Sequence, residues 1–119
     1  YNVVTSTAVL AELEKGKLPH RQNALEMALQ LPAIPVGDEA KEIVKAYIRH
    51  RVMPENPVGD ALHLALASLH KCDYLLTWNC QHLANANKFG HIRRVNTMLG
   101  IYVPALVTPL ELLGEEKEI

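Results

Sequence analysis

Aromatic side chains are scarce in this 119-residue chain: four tyrosines, one tryptophan and one phenylalanine make up 5% of it. That scarcity argues against a stacking platform for single-stranded nucleic acid, which lays successive bases on aromatic faces. Cysteine is nearly absent too, and Cys72 and Cys80 alone do not make a disulfide framework. Excess charge of either sign is missing, with 12 Lys and Arg against 13 Asp and Glu. A net charge of −1 gives no whole-molecule attraction for a polyanion, so any contact with nucleic acid has to come from a local basic patch. No run of about eighteen apolar residues and no charged-then-apolar leader occurs, which excludes a membrane span and makes a cytoplasmic location the expectation. What is present is ordinary for a globular chain, 49% apolar and 21% charged. This length supports one core, hence one domain and one site.

Asn2 to Thr5 reads as a short strand, after which Ser6 or Thr7 can cap a helix carrying Val9, Leu10 and Leu13 and stopping at Gly16. Apolar positions from His20 to Leu31 recur at helical spacing until Pro32 ends them, and Leu31 to Val36, with Pro32 and Pro35, is at most an edge strand. A third helix starts near Gly37-Asp38 and fades at His50-Arg51; a proline-bearing loop, Met53 to Pro57, follows. Asp60 to His70 is apolar nearly all round, as in a helix buried on more than one side. Tyr74 to Trp78 has the continuous apolar run of an inner parallel strand, with Asn79 the first residue off its end. A helical region over Cys80 to Leu99 is expected to break near Gly90, Val103 to Val107 reads as another strand, and Thr108-Pro109-Leu110-Glu111 opens a last short helix. Alternating strands and helices imply an α/β fold with a parallel sheet. So few strands, and a chain that enters an apolar β-branched run within four residues of Tyr1, predict a further strand upstream.

Four groups of residues can carry chemistry. Asp60 opens a helix, where the dipole and free backbone N–H groups keep a carboxylate ionised and ready for a hard cation; a plain N-terminal cap is the competing role. Asn79 leaves the carboxyl end of a strand, where open α/β sheets place ligands, or simply forms a turn. Glu12 and Glu14 flank the apolar stripe of the first helix, and periodicity does not choose between them. Lys88, His91, Arg93 and Arg94 form a basic cluster able to follow a phosphate backbone, if it is more than a solvated face. A zinc site from His70, Cys72, Cys80 and His82 is disfavoured, since one-residue separations do not match zinc knuckles. His63 reads as a hydrogen-bonded packing residue.

Three segments together resemble the PIN-domain family, metal-dependent ribonucleases that include the VapC toxins of toxin–antitoxin pairs. Val4-Thr5-Ser6-Thr7-Ala8-Val9-Leu10-Ala11-Glu12-Leu13 resembles the family's second strand and next helix. Gly59-Asp60-Ala61-Leu62-His63-Leu64-Ala65 resembles its central acidic motif, and Leu75-Leu76-Thr77-Trp78-Asn79 its late strand and site turn. The resemblance implies a three-layer α/β/α fold around a central parallel sheet, a single PIN-like domain over residues 1–114 that lacks the family's first strand and helix, and a tail at 115–119. It implies hydrolysis of RNA phosphodiester bonds by water activated on Mg²⁺ or Mn²⁺. Glu12, Asp60 and Asn79 would be the metal and catalytic residues, with Thr77 supporting the site and Lys88, Arg93 and Arg94 contacting RNA. Asn79 stands where the family keeps an aspartate, and the family's first acidic ligand falls ahead of Tyr1, so two carboxylates are in view. The resemblance also implies a small antitoxin partner and a homodimer. A PIN-like module that binds RNA or protein without catalysis is the alternative that Asn79 raises.

Overall fold

Ser6 is where the chain turns from strand to helix. It closes β1 (Thr5–Ser6) and caps α1 (Thr7–Lys15), its buried Oγ accepting a bond from the Val9 N–H at 3.1 Å. In this computed structural model, residues 2–15, 21–53, 59–77 and 86–108 are described. β1 is shorter than the sequence suggests and starts later, leaving Val3 and Val4 56% and 43% exposed ahead of it. Helix α2 (Arg21–Leu29) ends before Pro32, and β2 (Ala33–Ile34) pairs in parallel with β1, Thr5 opposite Ala33 and Ser6 opposite Ile34. Pro32 and Pro35 confine β2 to two residues, as expected of an edge strand.

Helix α3 (Asp38–Arg49) carries Asp38 and Glu39 in its first turn, where the dipole favours them, and buries Ala40, Val44, Ala46 and Tyr47. It packs along α4 (Gly59–Leu69), which buries Ala61 and the run Leu64 to Ser68, the all-round burial that its apolar composition predicts. A tight turn leads into β3 (Tyr74–Leu76), and α5 (Ala86–Leu99) carries the chain on to β4 (Ala105–Val107), parallel to β3 with Leu75 opposite Leu106. The expected break at Gly90 does not occur. Gly90 is exposed on a continuous α5, and its propensity cost of about 1 kcal/mol is offset by burying Ile92 and Val95 on the same helix. The protein is thus a mixed α/β chain, mostly helical, whose described strands pair in parallel as β1 with β2 and β3 with β4. The last helix, expected from Thr108 onward, lies outside the described residues beyond Thr108 itself.

Helices α3, α4 and α5 end in the same way. The residue after each cap is left-handed, Arg51 at φ 57°, Lys71 at 55° and Gly100 at 72°. The N–H one residue further on reaches back to the carbonyl of Tyr47, Ala67 or Asn96 at 2.8, 2.9 and 3.0 Å. Glycine suits that conformation and the two basic residues are strained by it. Lys71→Gly should therefore raise the unfolding free energy by about 0.5–1 kcal/mol, the relief of left-handed strain less the entropy that glycine adds to the unfolded chain. Urea titration followed by circular dichroism reads this directly, and a loss of stability would show that Lys71 makes a contact worth more than its strain.

The main core joins Val44, Tyr47, Leu64, Ala65, Ile92 and Leu106, drawn from α3, α4, α5 and β4. Threaded through it is a polar network. The Tyr47 hydroxyl donates to Asn96 Oδ1 at 2.7 Å, and Asn96 Nδ2 donates to Ser68 Oγ and to the Tyr102 carbonyl, both at 2.9 Å. Ser68 Oγ in turn donates to the Leu64 carbonyl at 2.8 Å. The two hydroxyl protons are thereby committed, which makes the 3.3 Å approach of Tyr47 to Ser68 a contact more than a bond. Burial pushes the Tyr47 hydroxyl up to about 12. An unfolded tyrosine ionises near 10 and the folded one near 12, so this contribution is complete below pH 10 and fades as pH rises through 12. Unfolding midpoints measured at pH 9 and 11.5 should fall between the two, and Tyr47→Phe should shrink the fall.

Candidate functional site

The carboxylate of Glu12 is the centre of the arrangement. Ser6 fixes the start of α1, and α1 packs against α4, which brings Glu12 to the first turn of a helix that begins 47 positions later in the sequence. There the Glu12 Oε1 lies 2.6 Å from the point where a side-chain carbon on Gly59 would stand. His63, one turn further along α4, donates from Nε2 to both carboxylate oxygens, at 3.1 and 3.2 Å. The proton must sit on Nε2 because a carboxylate only accepts. The His63 side chain is 17% exposed and that of Glu12 58%, so the imidazole forms part of the packed wall and the carboxylate faces solvent.

Asp60 follows Gly59 directly, half-buried in the first turn of α4. Glu12 and the Gly59-Asp60 corner are therefore neighbours, and where periodicity leaves Glu12 and Glu14 open, packing sets the Glu12 carboxylate against Gly59 and His63 of α4. Glu14 is exposed. Thr77 sits just beyond β3, its N–H bonded to the Val107 carbonyl at 2.9 Å. β3 follows α4 through a short turn and packs against it. Asn79, with Cys80 and His82, lies outside the described residues.

The basic cluster divides in two. Lys88 Nζ donates to the Val52 carbonyl at 3.0 Å, and His91 Nε2 to the His50 carbonyl at 2.8 Å. These two side chains close the carboxyl end of α3, where helix carbonyls lack partners. Arg93 stacks its guanidinium 5.0 Å from the Phe89 ring centre, and Arg94 approaches His91 Nδ1 at 3.4 Å; both arginines are exposed. The thiol of Cys72 is pushed up by burial and then by the Asp73 carboxylate, toward the neutral form that binds metal poorly.

Hard oxygen donors are what Mg²⁺ and Mn²⁺ select, and Mg²⁺ is commonly held by one or two protein carboxylates, its remaining positions filled by water and substrate phosphate. Glu12 and Asp60 meet that need in kind and number. Among the described residues no three His, Cys, Asp or Glu side chains converge as a metal group. Sequence reading takes His63 as a hydrogen-bonded packing residue, which it is, but links neither His63 nor Gly59 to Glu12. Their signal was the i, i+4 spacing that puts them on one face of α4. No helix among the described residues is long and apolar enough to cross a membrane. Comparison with models of known protein families, with curated proteins and with solved structures gives no match.

Proposed function

We propose that this protein is a metal-dependent endoribonuclease of PIN type, the toxin of a VapBC-like pair. The observation that carries the reading is the meeting of Glu12 with the Gly59-Asp60 corner: two segments that resemble the family's, far apart in the chain, bring their acidic residues to one helix end. Glu12 and Asp60 would hold Mg²⁺ or Mn²⁺, with the amide of Asn79 completing the set and Thr77 beside it. The bound ion would supply a water of lowered pKa and a counter-charge for the phosphate. The protein's own part is to place the two carboxylates at the start of α4, where the helix dipole favours negative charge. Arg93 and Arg94, exposed on α5, are the side chains left to meet an RNA backbone, while Lys88 is engaged at the end of α3. The antitoxin, the second copy and a cytoplasmic setting belong to the same reading and rest on the resemblance.

The same reading makes the two strand pairs parts of one central sheet in a three-layer domain, completed by one further parallel strand. Support comes from their common parallel sense and from the exposure of Val3, Val4, Tyr74 and Leu76, apolar residues on or beside β1 and β3 that a neighbouring strand would cover.

The test is RNA cleavage by the full-length protein. Activity should vanish on chelation, return with Mg²⁺ or Mn²⁺, and accompany saturable Mn²⁺ binding. A protein that binds RNA tightly and neither cleaves it nor takes up Mn²⁺ would establish the non-catalytic alternative.

A further inference from the structure

We propose that His63 and Gly59 are positioning residues for Glu12, a role that rests on the metal-site reading above. A glutamate with a 58% exposed side chain on a short helix has many rotamers open to it, and a metal ligand cannot use most of them. Here two features of α4 select one. The Nε2–H of His63 bridges both carboxylate oxygens, at 3.1 and 3.2 Å, and so fixes where the carboxylate lies and how it is turned. Gly59 provides the space, since any side chain there would stand 2.6 Å from Oε1. The two positions are one helical turn apart on the same face, so floor and wall belong to a single rigid element. His63 is itself held by burial in α4, at 17% exposure, which gives the carboxylate a fixed reference that an exposed lysine or arginine would not supply.

An ordinary staple between α1 and α4 would use the same contact, and the two roles separate experimentally. In the full-length protein, His63→Leu removes the donor. His63→Gln keeps an N–H at about the same reach. Gly59→Ala removes no polar group and meets only the far end of a flexible side chain, so it displaces the Glu12 carboxylate while the helix stays intact. Mn²⁺ affinity by calorimetric titration, thermal midpoint, and kcat and KM for RNA are measured for each, with Glu12→Gln as the reference. His63→Leu and Gly59→Ala should weaken Mn²⁺ binding about 10–100-fold, the usual cost of losing a residue that orients a metal ligand, and lower kcat more than they raise KM. His63→Gln should stay within about threefold of wild type. Wild-type Mn²⁺ affinity in His63→Leu, beside a weakened Glu12→Gln, overturns the positioning role and leaves the metal site standing. Equal defects in His63→Leu and His63→Gln overturn it as well, since they report packing. Wild-type affinity in Glu12→Gln removes the metal site, and the positioning role with it. Gly59→Ala keeps the inference open to refutation should the His63 variants fail to fold.

Discussion

Asn96→Ala should be among the most destabilising substitutions of a polar residue in the described core, costing about 3–5 kcal/mol of a total near 5–15 kcal/mol for a domain of this kind. The Asn96 amide is fully buried and saturated: its oxygen accepts from Tyr47, and its nitrogen donates to Ser68 and to the Tyr102 carbonyl. Truncation leaves the buried Tyr47 proton without its acceptor, at about 1–3 kcal/mol, and the half-buried Tyr102 carbonyl without its donor, at less because water can reach it. It also opens a void between α3, α4 and α5, because Asn96 is the side chain through which Tyr47 and Ser68 are joined. Tyr47 has one retreat, toward Ser68 Oγ at 3.3 Å, and this keeps the expected loss below the sum of its parts. Urea unfolding should show a lowered midpoint with an unchanged slope. Adding Tyr47→Phe to Asn96→Ala should cost less than the two single losses together, because the first change already removes what the second would break. A loss under about 1 kcal/mol for Asn96→Ala would mean that the network fills space without bonding the helices, since even one orphaned group costs that much.

That network is also where sequence reading stops. The helices themselves are legible because their causes are local: Ser6 caps α1, Pro32 ends α2, and the apolar composition of Asp60 to Leu69 forecasts a helix buried on several sides. Gly90 is misjudged for the opposite reason. Its propensity cost is local, but the burial of Ile92 and Val95 that outweighs it comes from helices elsewhere in the chain. Asn96 reads as one more polar residue on a helix, since nothing near it in sequence shows that Tyr47 and Ser68 arrive to satisfy it. The left-handed Arg51 and Lys71 are hidden likewise, because the usual glycine signal is present only at Gly100. The parallel sense of the strands is foreseen, but which strand pairs with which is not, since strand order depends on contacts between distant segments.

The candidate site divides along the same line. Asp60 is legible from its place at a helix start, a matter of neighbouring residues. Glu12 is distinguished from Glu14 only by the resemblance or by the packing of α1 on α4, and packing then supplies a reason that sequence lacks: space above Gly59 and a donor on His63. Within the basic cluster the Lys88 ammonium bonds the Val52 carbonyl past the end of α3 while Arg93 and Arg94 remain exposed, a division that charge spacing alone does not reveal.

Asp60→Asn should lower metal-dependent RNA cleavage about 10²–10⁴-fold, on the ground that a catalytic metal contributes several kcal/mol to the transition state and each 1.36 kcal/mol is a factor of ten. The substitution keeps the shape of the side chain and removes its charge. With Glu12 the other carboxylate of the described site, losing one leaves the ion with half of that negative charge, and the fall in affinity and the rise in the pKa of its water act together. Stability should hardly follow. Removing a half-buried carboxylate from the first turn of α4 forfeits a dipole interaction of about 0.3–1 kcal/mol, small beside the burial of Leu64, Ala65 and Leu66 on the same helix. That separation of activity from stability is the mark of a ligand as opposed to a cap. Glu14→Gln, on the same helix as Glu12 but on the other flank of its apolar stripe, is the matched control and should cleave as wild type does. Single-turnover cleavage at saturating Mn²⁺, with contaminating nuclease excluded by parallel purification of the variants, measures the difference. If Asp60→Asn cleaves within about threefold of wild type, less than half the free energy of one factor of ten, Asp60 is a helix cap and the ribonuclease assignment falls.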